Sequence, residues 1–269
     1  MSRPDDFGIL VLGHKRPNAL RNVLESLKRQ GALGLTQVWL DGPAFSPPEV
    51  IEQVLACRDL ALEYPETDWN MCNGRLGIDK LLFDGLAAMV RRYEKVLILE
   101  DDCFPTSSAV ATFREELGKI DAVPDLFSVY GHHFGVSAEG ESISRFQGWG
   151  WGTTREKLAP IFAQLKELFL LPESEFLAWV ARQLTPEVRA RIDVTPGRDA
   201  LNVMQRFFVW DACTTLLTAT AGLRHKRTPV RTIYNCGIGP FGGHFFQDQE
   251  HLRLPPWNMI AEDEVWKYF

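Results

Sequence analysis

The sequence has no C-x-x-C pair, and its five cysteines are scattered and odd in number. Cys57, Cys72, Cys103, Cys213 and Cys236 therefore indicate neither a zinc site nor a disulfide framework. No apolar run approaches the roughly 20 residues that span a bilayer. The first residues, MSRPDDFG, place charge before only a short apolar stretch, which is not a secretory signal. A cytoplasmic protein without a transmembrane segment is expected. There is no internal repeat and no low-complexity linker. The net charge of -6 gives nothing that favours nucleic acid as a partner. At 45% hydrophobic and 24% charged residues, the composition is that of an ordinary globular protein. Its 269 residues suffice for one large α/β domain or two small ones.

What is present is an alternation of short aliphatic runs and helical patterns. Phe7–His14 reads as a buried strand ending near glycine. Pro17 opens a helix to about Gln30. Strands follow at Gln37–Gly42 and near Leu62–Tyr64, with a helix at Glu49–Ala61 between them. Leu81, Leu82, Leu86, Met89 and Val90 keep the spacing of an amphipathic helix over Ile78–Tyr93. Lys95–Asp102 reads as a strand, Ser107–Ile120 as a helix and Leu126–Phe134 as a strand. The fold class is α/β, with a mostly parallel sheet flanked by helices on both faces. The second half changes character. It has helices near Arg155–Leu170, Glu173–Leu184 and Ala200–Ala221, then the basic RHKRTPVR and a glycine-rich stretch.

The segment Val96–Pro105, VLILEDDCFP, carries the sharpest chemical signal. Two like charges about 4 Å apart repel by roughly 4 kcal/mol at a protein-like dielectric. Glu100, Asp101 and Asp102 therefore need a cation, protonation or water. They sit at the carboxyl end of a predicted strand, where open α/β sheets bind ligands. Strand alternation would turn Glu100 and Asp102 one way and Asp101 the other. Carboxylates so placed suit Mg²⁺ or Mn²⁺, which use one or two of them together with substrate phosphates. A solvated acidic turn is the alternative. Asp41 ends the second strand; a carboxylate there can accept the imide proton of uracil or thymine, or simply form an Asp-Gly turn. Arg16 follows the first strand and can meet a base or phosphate. Asn73, Arg75 and Lys80 surround two glycines at a helix start, where anions bind.

Two further groups lie in the second half. GWGWG at 148–152 alternates indoles with glycines. Trp149 and Trp151 either offer faces to a sugar ring or fill the core. Asp211, in an apolar helical segment, is a candidate general base. His244 lies in the glycine-rich GGHFFQDQ and can reach a metal or a diphosphate. The run of Arg224, His225, Lys226, Arg227 and Arg231 reads as a solvated face or as an attractor of anions. The aromatic tail WNMIAEDEVWKYF can dock on its own body or on a partner.

Taken in order, Arg16, Asp41, Glu100-Asp101-Asp102, the Trp-Gly-Trp turn, Trp210-Asp211 and Gly242-Gly243-His244-Phe245-Phe246 resemble GT-A-fold glycosyltransferases. The resemblance is above all to the N-acetylglucosaminyltransferase I group and the bacterial glycosyltransferases related to it. It implies one GT-A-like domain over 1–269, with a nucleotide- and metal-binding half at 1–134 and an acceptor-side half at 135–269. It implies transfer of a hexosyl or N-acetylhexosaminyl group, with inversion, from a nucleotide diphosphate sugar, UDP-type favoured, to a glycan or other hydroxyl. By the same resemblance Asp102 is the direct Mn²⁺ ligand, with Glu100 beside it. Arg16 and Asp41 contact the donor base, and Asp211 is the base in place of a Trp-Asp-Asp-Trp-like segment whose second acid is here Ala212. A haloacid-dehalogenase-type phosphatase fits less well, because Glu100 is one methylene too long for its nucleophile. A nucleotidyltransferase would share sheet and metal, but LGHKRPN is poor in the glycines its loop needs. A non-catalytic nucleotide-sugar-binding module is the third alternative.

Overall fold

The computed structural model describes residues 6–135, 142–192, 209–238 and 250–269. Eight strands form one sheet in the order β3-β2-β1-β4-β8-β6-β9-β7. They are β1 (Phe7–Gly13), β2 (Thr36–Leu40), β3 (Asp68–Met71), β4 (Lys95–Glu100), β6 (Leu126–Tyr130), β7 (Ser142–Ile143), β8 (Trp151–Thr154) and β9 (Arg224–Arg227). β8 runs antiparallel to both β4 and β6, and β7 antiparallel to β9; the other pairings are parallel. The mostly parallel α/β sheet expected from the sequence is therefore observed. It draws strands from both halves of the chain, since β8 sits between β4 and β6. A small ribbon pairs β5 (Cys103–Pro105) with β10 (Ile233–Asn235).

Helices α1 (Pro17–Arg29), α2 (Pro48–Glu63), α3 (Ile78–Arg92) and α4 (Ala109–Leu117) connect the first strands. α5 (Arg155–Leu168), α6 (Glu173–Gln183), α7 (Pro186–Ile192) and α8 (Trp210–Thr220) follow β8. Strand alternation divides the core between the two faces of the sheet. Leu10, Leu12, Val96 and Ile98 pack with α3, α5 and α8, while Ile9, Val11, Leu97 and Leu99 pack with α1 and α4. Burial on both faces is why these strands are aliphatic throughout rather than alternating.

Several expectations are corrected. α2 continues through Glu63, so no strand forms at Leu62–Tyr64; the strand is β3, whose residues are half-exposed or exposed and carry no apolar pattern. β4 stops at Glu100, and Asp101 and Asp102 form a turn. The basic run is not a solvated face. Arg224–Arg227 is β9, with His225 and Arg227 buried. Arg224 pairs with Asp125 at 2.8 Å and Lys226 with Glu116 at 2.5 Å. The aromatic tail docks on its own body. Trp266 packs edge-on to Phe104 at 5.2 Å, lies under the Arg29 guanidinium at 4.3 Å, and donates to Asn22 at 3.2 Å. Of the helix expected at 200–221, the described part is α8.

Candidate functional site

Sheet order reverses between β1 and β4. From β1 the chain steps outward to β2 and β3, then returns to place β4 on the other side. At such a switch point the connections diverge and leave a crevice at the carboxyl ends of the strands. The register pairs Leu12 with Glu100, so the segment after β1 and the turn after β4 open into the same crevice.

That crevice brings Arg16 to the acidic triplet. One guanidinium nitrogen donates to Asp101 Oδ1 and the other to Asp102 Oδ2 at 2.7 Å. Asp101 Oδ2 accepts the backbone N–H of His14 at 3.3 Å. The pair is largely desolvated: the Arg16 side chain keeps 14% of its exposure and that of Asp101 3%. Burial alone would lower the Arg16 pKa, but the facing Asp101 and Asp102 hold it well above the usual value. The turn at Asp101–Asp102 breaks the strand alternation, which is how two successive carboxylates reach one guanidinium. Arg16 therefore meets the triplet, not open solvent.

One cation does not balance three carboxylates. Burial, and then the Asp102 charge, push the Glu100 carboxyl up to about 8, with Arg16 opposing and Asp101 and Asp211 adding to the rise. The repulsion written into the sequence is thus met only partly by Arg16, and the raised Glu100 pKa marks the positive charge still missing. Asp102 is held from behind. The Cys236 N–H donates to its carbonyl at 2.8 Å, and a Cβ on Gly237 would lie 2.6 Å from Asp102 Oδ2. Among the described residues Asp102 Oδ1 has only the weak Cys103 Sγ contact at 3.6 Å. Among the described residues no three His, Cys, Asp or Glu side chains are grouped so as to cage an ion.

Asp41 is buried, and its charge is committed to the backbone. It accepts from Gly42 N at 2.9 Å, Leu76 N at 2.6 Å and Gly77 N at 3.0 Å. It therefore ties the end of β2 to the loop that opens α3. Asn73 and Arg75 are exposed on that loop. The Lys80 ammonium is held by Asp84 at 2.6 Å, one turn along the same helix.

The two indoles of the turn part company. Trp151 is 2% exposed and stacks between Phe127 and Trp210, which realises the core-packing alternative. Trp149 stays half-buried against Phe134 and Trp257. Asp211 lies in the first turn of α8, beside this loop; a Cβ on Gly148 would sit 3.6 Å from Asp211 Cβ. Asp211 is near enough to Glu100 to raise its pKa. His244 and the Gly242–Phe246 segment lie outside the described residues.

Sequence reasoning missed four participants. His14 stands between Asp41 and Asp101; burial first lowers its pKa, and Nε2 has no hydrogen-bond partner among the described residues. Its signal was its place directly after the first strand. Asn235, at the end of β10, and Gly237 just after it back the triplet, and nothing local marks them. Asp79, in the first turn of α3, accepts the N–H of Trp210 at 3.0 Å.

No protein-family profile and no curated protein matches this sequence. Solved structures resemble it at the level of architecture. A mannosyltransferase from Pyrobaculum calidifontis, in complex with GDP-Man and Mn²⁺, is 15% identical. It aligns over 82% of this chain and 74% of its own, with a TM-score of 0.40. A 4-diphosphocytidyl-2C-methyl-D-erythritol synthase from Anaerococcus prevotii is 11% identical over 66% of this chain and 85% of its own, with a TM-score of 0.39. A putative nucleotide-diphospho-sugar transferase from Desulfovibrio desulfuricans is 13% identical over 59% and 68%, with a TM-score of 0.37. What this chain shares with them is a helix-flanked, mostly parallel sheet, and the likeness goes no further. No helix among the described residues is long and apolar enough to cross a membrane.

Proposed function

We propose that this protein is a GT-A-type glycosyltransferase that moves a hexosyl or N-acetylhexosaminyl group from a nucleotide diphosphate sugar, UDP-type favoured, to an acceptor hydroxyl. The observation that carries the reading is the acidic triplet at the switch-point crevice, bridged by Arg16 and still short of positive charge. A pocket with surplus carboxylate suits a hard divalent cation, and Mn²⁺ or Mg²⁺ is commonly held by one or two carboxylates plus substrate phosphates. Asp102, with Glu100 beside it, would hold that ion. When bound, the ion supplies Lewis-acid stabilisation of the leaving diphosphate.

The chain's own residues divide the remaining work. Arg16 fixes the Asp101–Asp102 turn and keeps a permanent positive charge at the diphosphate end. Asp41 sets the loop carrying Asn73 and Arg75, which line the rim on the nucleotide side. Trp149 offers an indole edge toward the sugar. Asp211 Oδ1 accepts the N–H of Ala212 at 2.8 Å, which leaves Oδ2 for an acceptor hydroxyl. As that oxygen bonds to the anomeric carbon, Asp211 takes its proton and the bond from the anomeric carbon to the diphosphate oxygen breaks. In-line displacement inverts the centre.

Calorimetric titration of UDP, dTDP, GDP, CDP and ADP, with and without Mn²⁺, tests the reading on wild type and Asp102→Ala. The expected result is Mn²⁺-dependent binding of one diphosphate that the substitution abolishes. Absence of binding by every nucleotide to folded protein would overturn it. Tighter binding of a triphosphate, with pyrophosphate release on adding a sugar phosphate, would mark nucleotidyl transfer instead.

A further inference from the structure

The first turn of α8 cannot satisfy its own backbone. Its capping position is Val209, extended at φ -99° and ψ 143°, whose side chain has no oxygen to offer. Two carboxylates supply what is missing. Asp211 Oδ1 takes the N–H of Ala212 at 2.8 Å, and Asp79 Oδ1 takes that of Trp210 at 3.0 Å from 131 positions earlier in the chain. Asp79 is itself fixed by its setting. It lies two residues past Gly77, and the N–H groups of Leu76 and Gly77 are held by Asp41. Hydrogen bonds thus run from the end of β2 through Asp41 to the start of α3, and through Asp79 to the start of α8. On its other side Trp210 is locked by stacking on Trp151 and by edge contact with Phe146.

We infer that Asp79 is a positioning residue: it clamps the first turn of α8 so that Asp211 faces Glu100 and the crevice. This rests on the reading of Asp211 as the proton acceptor. Burial raises the Asp79 pKa, the Trp210 hydrogen bond opposes the rise, and the nearby Asp211 charge adds to it. Two carboxylates are thus held close together at one helix start. The positive end of an 11-residue helix favours both charges there.

Asp79→Asn and Asp79→Ala separate the clamp from a general structural role. Asparagine keeps an oxygen for the Trp210 N–H; alanine does not. The first readout is UDP release from UDP-glucose, UDP-galactose and UDP-N-acetylglucosamine, with Mn²⁺ and p-nitrophenyl glycosides as acceptors, where all variants are folded. The second is amide hydrogen exchange across Val209–Thr215. Asp79→Ala is expected to lower kcat at least tenfold, leave the donor KM within about twofold, and speed exchange in that segment. Asp79→Asn is expected to stay near wild type in all three. Unchanged kcat in Asp79→Ala, unchanged exchange, or an Asp79→Asn as impaired as Asp79→Ala would each overturn the inference. A wild-type protein that turns over no donor would overturn the transferase reading alone, and the exchange rates would still decide whether Asp79 holds the Asp211 turn.

Discussion

His225 offers a measurement whose size follows from the structure. The imidazole is fully buried between β6 and α8. Thr218 Oγ1 donates to the Thr214 carbonyl at 2.8 Å, so toward His225 Nε2, 3.2 Å away, it can only accept. Nε2 then carries the hydrogen, and Nδ1 accepts from Ser128 Oγ at 2.7 Å. The ring is neutral, and burial holds its pKa down to about 3, against 6.5 ordinarily. A folded-state pKa below the unfolded one means that the unfolded chain binds the extra proton. This contribution is complete above the unfolded value and is lost as pH falls through 6.5 toward 3. At pH 5.5 the unfolded imidazole is about 90% protonated, which amounts to one pKa unit, or about 1.4 kcal/mol. That figure is insensitive to the folded pKa as long as it stays well below 5.5. His132, also pushed down to about 3 by burial, acts in the same direction, whereas Glu100, raised to about 8, gains stability on acidification. The wild-type pH profile therefore mixes signs, and the comparison with His225→Gln isolates one group. Urea unfolding at pH 7.5 and 5.5 should show the wild type losing about 1.4 kcal/mol more than the variant between the two. Equal changes in both proteins would refute the assignment of a neutral, proton-excluding histidine.

Two substitutions at the crevice follow from its charge and packing. Arg16→Met removes the only cation in contact with Asp101 and Asp102 among the described residues, and breaking a buried pair from one side costs about 3–5 kcal/mol. Thermal unfolding should drop by roughly 10 °C. MnCl₂ should restore more of it than it adds to the wild type; no Mn²⁺ response in the variant would count against a metal role for the triplet. Gly237→Ala places a Cβ 2.6 Å from Asp102 Oδ2 and 3.1 Å from Asn235 Oδ1. It should push the carboxylate off Arg16, weaken Mn²⁺-dependent nucleotide binding at least tenfold, and cost about 1–3 kcal/mol of stability. Binding at wild-type strength would show that the Asp102 position does not depend on this close backbone.

The parts of the molecule legible in the sequence are those whose cause is local. Burial on both faces makes β1 and β4 aliphatic runs, and helix periodicity sets α3. A strand end carrying three acids is conspicuous because the preceding residues are so plainly buried. β9 was illegible for the opposite reason. Its burial alternates, but the buried positions are His225 and Arg227, and His225 takes its partners from β6 and α8. Side-chain period likewise says nothing of strand direction, so the insertion of antiparallel β8 between β4 and β6 left no local trace. β3 has too little burial to impose any pattern.

The same division runs through the site. Asp41 and the acids of the triplet could be picked out by type and by position at a strand end, whereas Asp79 could not, and no partner could. Arg16 meets Asp101 across 85 residues and Asp79 meets Trp210 across 131. The strand pairing that brings Leu12 beside Glu100 creates the first meeting, and the approach of the first turn of α8 to the first turn of α3 creates the second. Asp41 shows the consequence. Its position at the end of β2 marked it as a ligand contact, and the fold adds three backbone N–H groups bound to its oxygens, so it also holds the loop that opens α3. An isolated acid at a strand end signals the place of the chemistry. Whether it touches the ligand or holds another residue that does is decided by the hydrogen-bond donors that the fold brings to it.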